Sequence, residues 1–180
     1  IFLLGDNIFF GHGLIDLINS AIDNNVGCSI FSYAVKKPEN FGVIKISRFN
    51  KIEKITEKPK KFISKLAITG LYIFDHKCHE YLKKIKPSKR NELEIVSILN
   101  QYLSDSTLKN NILTRGISWF DTGNFESLLD ANILIYQSQK NNNSLIGSIE
   151  EVAYLKKWVS KEKFKKIIKS FNNEYGKKLR

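Results

Sequence analysis

Hydrophobic and polar positions along the chain alternate between two periods, and the switches mark out its elements. Residues 13–23 place Leu14, Leu17, Ile18 and Ala21 on one face at helical spacing. Residues 28–35, Cys-Ser-Ile-Phe-Ser-Tyr-Ala-Val, are an apolar run of the length of a buried strand. Pro38 discourages helix in the loop that follows. Residues 42–49 and 51–57 alternate apolar and polar and meet at Asn50, which predicts a β-hairpin. A strand is expected over 67–74, a helix from about 75 to 85, a second helix near 92–103 opened by Pro87-Ser88, and a short strand over 111–115. A long helix over about 125–140 carries Phe125, Leu128, Leu129, Asn132 and Ile135 on one side. A loop over 141–144 and two further helices, 150–157 and 160–172, complete the chain. Strands interleaved with helices on this scale predict an α/β fold with an inserted antiparallel hairpin. The 180 residues suit one domain, 1–180, with its C-terminal helices starting near 125.

Composition narrows the class. Phe and Ile are plentiful enough for a sizeable core, and no apolar stretch reaches membrane-spanning length. No signal peptide is visible. Two cysteines, Cys28 in a strand-like run and Cys78 in a helix, fit a reducing cytosol better than a disulfide framework. A cytoplasmic protein without a membrane partner is expected. The chain has no methionine and opens inside the apolar run Ile1-Phe2-Leu3-Leu4, read as a core strand. It is therefore expected to be the C-terminal part of a longer protein. The formal charge of +11 raises the possibility of nucleic-acid binding. Much of that surplus, from Lys156 to Arg180, interleaves with Trp158, Phe164, Ile167, Ile168 and Phe171 at helical spacing. A solvated face of an amphipathic helix accounts for it, so no nucleic-acid partner is expected.

The candidate chemistry sits where apolar runs end in glycine turns. Asp6 lies in Leu4-Gly5-Asp6-Asn7, and Asp121 in Trp119-Phe120-Asp121-Thr122-Gly123. Two such carboxylates can hold one Mg²⁺, which completes its shell with substrate phosphates. Phosphoryl or nucleotidyl transfer follows. Glu57-Lys58-Pro59 closes the hairpin; the carboxylate suits a sugar hydroxyl and the ammonium a phosphate, although such a tripeptide is also an ordinary surface turn. Gly70, in Ile68-Thr69-Gly70-Leu71-Tyr72, permits close approach of a ligand or of another backbone. Tyr72 can donate to a phosphate oxygen, Gly42 can present its backbone to a sugar, and Arg90 stands before a helix within plausible reach of a phosphate. His76, Cys78 and His79 lack the spacing of a zinc site.

Taken in order, Leu-Gly-Asp-Asn, Phe-Gly-Val, Thr-Glu-Lys-Pro, Ile-Thr-Gly-Leu-Tyr, Pro-Ser-Lys-Arg-Asn-Glu-Leu-Glu-Ile and Trp-Phe-Asp-Thr-Gly closely resemble the glucose-1-phosphate thymidylyltransferases, and the resemblance runs to the C-terminus. It implies a Rossmann-like nucleotidyltransferase domain with a mixed sheet, joining dTTP to glucose 1-phosphate and releasing pyrophosphate. It implies Mg²⁺ on Asp6 and Asp121, the sugar on Glu57 and the backbone near Gly42 and Ile68, and the phosphate near Lys58, Arg90 and Tyr72, with Gly70 and Trp119 also lining the substrate site. Asp6, Lys58 and Asp121 would be the catalytic residues. It also implies a homotetramer working toward dTDP-rhamnose and related cell-surface sugars. Four positions depart from the family pattern. Thr56 stands for a first Glu, Phe41 for a Tyr, and Val96-Ser97 for Thr-Asp. The family's Gly-rich nucleotide loop has no counterpart, so these 180 residues alone are expected to show no turnover. A relative using another base or sugar, and a non-catalytic basic module, are the alternative readings.

Overall fold

A computed structural model describes residues 1–87 and 91–179 and divides them into two compact units, 1–124 and 125–180. The first unit is built on a six-stranded mixed sheet. Its strands are β1 (Phe2–Leu3), β3 (Cys28–Ala34), β4 (Gly42–Ile46), β5 (Ile52–Glu57), β6 (Leu66–Phe74) and β7 (Leu108–Ile112). The order is β5-β4-β6-β3-β7, with β1 beside the far end of β6. Only β3 and β7 run parallel; the remaining pairs are antiparallel. Two strands, β2 (Asn7–Gly11) and β8 (Ile117–Asp121), form a separate antiparallel ribbon.

The apolar runs explain which strands are central. All but the first and last residues of β6 and the first five of β3 are buried, as befits strands covered on both faces. Their side chains alternate between two cores. Cys28, Ile30, Ile68 and Tyr72 pack with Ile98, Leu99 and Tyr102 of helix α3 (Ile95–Ser104) and with Tyr81 of α2 (Cys78–Leu82). Phe31, Ala67, Leu71 and Ile73 pack on the other face with Ala21 of α1 (Leu14–Asp23) and with Ile117 and Trp119 of the ribbon. The predicted hairpin closes through Ser47, whose backbone N–H donates to Lys51 O at 2.8 Å, and through Asn50, at φ 58°.

Several expectations are corrected. The strand expected at 111–115 is Leu108–Ile112, because parallel pairing sets Leu108 opposite Cys28. The helix expected over 75–85 contracts to Cys78–Leu82; the polar Lys83 and Lys84 after Leu82 offer nothing to bury. The opening run joins the main sheet as a short strand. Only Phe2 and Leu3 pair, with Tyr72 and Leu71, and Ile1 to Leu4 are all exposed.

The second unit comprises α4 (Phe125–Asn142), α5 (Ile149–Leu155), α6 (Lys161–Ser170) and the unpredicted α7 (Glu174–Lys178). The stripe expected on α4 is not buried: Phe125, Leu128, Leu129 and Asn132 are exposed and the small Ala131 is the buried residue. Ser148 and Ser160 cap α5 and α6 by accepting from Glu151 N and Lys163 N. On α6, Ile168 is buried while Lys161, Lys163, Lys165, Lys166 and Lys169 face solvent. Among the described residues no helix is long and apolar enough to cross a membrane.

Candidate active site

Nine of the ten residues proposed from the sequence line one cavity of about 230 Å³: Asp6, Gly42, Glu57, Lys58, Ile68, Gly70, Tyr72, Trp119 and Asp121. Arg90 lies outside the described residues. The nine come from three parts of the first unit. The β4–β5 hairpin supplies Gly42, Glu57 and Lys58, β6 supplies Ile68, Gly70 and Tyr72, and the β2–β8 ribbon with its flanking turn supplies Asp6, Trp119 and Asp121.

The ribbon brings the carboxylates together. Asn7 pairs with Asp121 at its end, which sets Asp6 beside the 121–123 turn. Thr122 locks that arrangement, its backbone N–H and its hydroxyl both donating to Asp6 O at 2.8 Å. Gly123 leaves the space between the acids open. A Cβ there would lie 3.3 Å from Asp121 Oδ1 and 3.9 Å from Asp6 Oδ2. Two converging carboxylate oxygens over a glycine suit a Mg²⁺ that takes its remaining ligands from water and phosphate. Among the described residues no third His, Cys, Asp or Glu joins them.

The hairpin end is arranged by register. Gly42 stands opposite Glu57, and a Cβ on Gly42 would come within 3.1 Å of Glu57 Oε2, so the glycine leaves room for the carboxylate. Lys58 follows with φ 38° and donates its backbone N–H to Phe41 O at 3.0 Å. A left-handed conformation costs a non-glycine residue about 1–3 kcal/mol, and such strain concentrates at functional sites. Tyr72 is 3 % exposed. Burial first, and then the neighbouring Glu57 charge, push its phenol well above the ordinary tyrosine range, so it stays a neutral hydrogen-bond donor. Trp119 is held between Phe41 and Tyr33, with ring centroids at 5.2 and 6.1 Å.

Sequence reasoning passed over Asn7. Its Oδ1 accepts from Trp119 Nε1 at 2.6 Å and from Gly70 N at 3.1 Å, and its Nδ2 donates to Asp6 Oδ1 at 2.9 Å. The space left by the missing side chain of Gly70 is filled by that carboxamide, since a Cβ there would lie 2.6 Å from Asn7 Cγ. The signal was present: a glycine inside a buried strand announces a close approach, and here the approaching group is a side chain. Thr69 also lines the cavity, but its hydroxyl is committed to Phe31 O at 3.0 Å. Thr56 has a buried hydroxyl without a partner among the described residues.

Comparison with known proteins shows the family. The profile of the nucleotidyl transferase family matches residues 1–138. A glucose-1-phosphate thymidylyltransferase of Neisseria meningitidis is 39 % identical over 178 residues, covering 98 % of this chain and 62 % of that protein. One from Mycolicibacterium smegmatis is 33 % identical, covering 96 % and 61 %. A Bacillus anthracis crystal structure, assigned as a glucose-1-phosphate thymidylyltransferase and containing sucrose, superposes with a TM-score of 0.63 at 39 % identity, over 73 % of this chain and 52 % of that one. The chain thus spans about three-fifths of the length of the curated relatives it matches.

Proposed function

Because the chain belongs to the nucleotidyl transferase family, we propose that it forms the sugar-phosphate- and metal-binding part of a glucose-1-phosphate thymidylyltransferase. In that reaction an oxygen of glucose 1-phosphate attacks the α-phosphorus of dTTP. The bond from that phosphorus to the bridging oxygen breaks, and pyrophosphate leaves. The observation that carries this reading is the convergence of nine motif residues, from three separate parts of the unit, on one cavity. The choice of thymidine and glucose rests on likeness to the named relatives.

Each residue has a task suited to its surroundings. Glu57 accepts from sugar hydroxyls, with Gly42 keeping the approach clear. Lys58 sets a point charge against the sugar phosphate. Tyr72, kept protonated, donates to a phosphate oxygen. Trp119 forms a rigid wall for the sugar ring. Asp6 and Asp121 would hold Mg²⁺, which neutralises charge that builds on the phosphates during transfer. These groups position the nucleophile, a contribution worth up to about 7–11 kcal/mol when alignment is complete. The product dTDP-glucose would feed dTDP-rhamnose and related sugars, with the protein acting as a cytoplasmic homotetramer.

Calorimetric titration of the chain with glucose 1-phosphate, with and without Mg²⁺, tests the reading. Saturable binding that Asp121→Ala and Lys58→Ala each weaken at least tenfold supports it. Absence of saturable binding, or binding indifferent to both substitutions, overturns it.

A further inference from the structure

One side chain at the centre of the site makes three bonds that only one orientation satisfies. Asn7 Oδ1 meets two donors that cannot accept in return, the indole N–H of Trp119 at 2.6 Å and the amide of Gly70 at 3.1 Å. The carboxamide is therefore oriented by its chemistry, and its Nδ2 must point the other way. There it donates to Asp6 Oδ1 at 2.9 Å. Asp6 Oδ2 is the oxygen 3.9 Å from the Cβ position of Gly123, on the side of Asp121. The amide is anchored to two buried elements: β6 is buried through its middle and Trp119 is 8 % exposed.

We propose that Asn7 is a positioning residue whose clamped carboxamide fixes the rotamer of Asp6, and so sets how tightly Asp6 and Asp121 together hold a divalent cation. The inference rests on the metal-binding reading given above. An aspartate on a turn otherwise samples several staggered χ1 positions, and only some aim it at a partner acid. A hydrogen bond from a rigid donor removes the unproductive ones before the ion arrives. Partners of this outer kind commonly change metal affinity 10–100-fold when removed. Gly70 belongs to the same device, because any side chain there would displace the carboxamide.

The test uses Mn²⁺ as the probe, its binding to the chain followed by electron paramagnetic resonance. Asn7→Ala is expected to weaken Mn²⁺ binding about 10–100-fold. Gly70→Ala is expected to weaken it in the unaltered background and to add little once Asn7 is alanine. A second readout is the indole N–H resonance of Trp119, with the exposed Trp158 as internal reference. Mg²⁺ should shift the Trp119 signal in the unaltered chain and leave it still in Asn7→Ala, a coupling that a merely structural asparagine does not produce. Melting curves establish that each variant is folded. Should Asn7→Ala fail to fold, Trp119→Phe keeps the asparagine and removes one anchor, with an expected loss of about two- to tenfold. Unchanged Mn²⁺ affinity in a folded Asn7→Ala, or in Trp119→Phe where it stands in, overturns the role of Asn7 and leaves the metal site standing. Absence of Mn²⁺ binding in the unaltered chain, or binding that an Asp121→Ala control leaves unchanged, overturns both.

Discussion

The site is lined by two antiparallel ribbons of different origin. In the β4–β5 hairpin, Ile46 and Ile52 pair across a short turn, and Gly42 faces Glu57 at the open end. In the β2–β8 ribbon, Asn7 and Asp121 pair although most of the first unit lies between them. Both ribbons end in an acid beside a glycine. The hairpin sets its turn mostly locally, through Ser47, Asn50 and alternation, although Asn50 Nδ2 also donates to Asn110 O at 3.4 Å. The other ribbon has no turn of its own to set its register, and depends on Thr122 and Asn7 for its alignment at the site end. The hairpin's share of the site is thus nearly self-contained, whereas the share carrying Asp6, Trp119 and Asp121 is held by tertiary contacts and is the more sensitive to distant change.

The largest expected effect breaks the long-range ribbon. A Cβ on Gly11, at φ 153°, would lie 2.1 Å from Gly116 O and 2.6 Å from Ile117 Cα. Gly11→Ala should cost roughly 3 kcal/mol or more of stability and abolish Mn²⁺ binding, both read from melting and titration. Next comes Lys58, which separates function from fold. Lys58→Gly removes the charge proposed to meet the sugar phosphate, an interaction of a kind worth about 1.5–3 kcal/mol, while relieving a left-handed residue. Glucose 1-phosphate affinity should fall about tenfold or more as the melting temperature holds or rises. A smaller effect tests the hairpin's independence. Asn50→Ala, at φ 58°, should melt below Asn50→Gly by the equivalent of about 1 kcal/mol, since both lose the bond to Asn110 and only alanine is strained, and both should leave Mn²⁺ affinity unchanged. The smallest probes a region outside both ribbons. The hydrogen bond from Tyr81 to Asp105, followed by burial, pushes the Tyr81 phenol up to about 12 from its ordinary value of 10. That contribution is intact below pH 10 and is lost as pH rises toward 12. Tyr81→Phe should therefore lose less stability than the unaltered chain between those values in alkaline melting curves.

The same contrast explains what could be read from the sequence. The hairpin, α1, β3 and β6 were legible because their periodicity reports burial that nearby residues create. Glu57, Lys58, Asp6 and Asp121 stood out as candidates, since each lies near a strand end close to a glycine or proline, and one cavity brings them together. Strand β2, Asn-Ile-Phe-Phe-Gly, does not alternate, and its partner is too far along the chain to be inferred. Strand β7 reads as polar because Lys109, Asn110 and Asn111 interrupt it; its place is decided by parallel pairing with β3. Asn7 was invisible for a stronger reason. Its meaning depends jointly on Gly70 and Trp119, and no local pattern connects the three.

Chain separation also carries a kinetic meaning. Trp119 and Asn7 are 112 positions apart, whereas Ile46 and Ile52 are near neighbours. Loop-closure entropy grows as (3/2)RT ln n, so the ribbon's closure is dearer than the hairpin's by roughly 3 kcal/mol. Contacts of long separation close late, and the less buried elements open first; β2 and β8 are less buried than β3 and β6. During synthesis, β8 leaves the ribosome only after nearly all of the first unit has emerged, and the two acids stay apart until then. In hydrogen exchange, the amides of β2 and β8 should trade their protons ahead of those of β3 and β6, each opening briefly undoing the place where the acids meet.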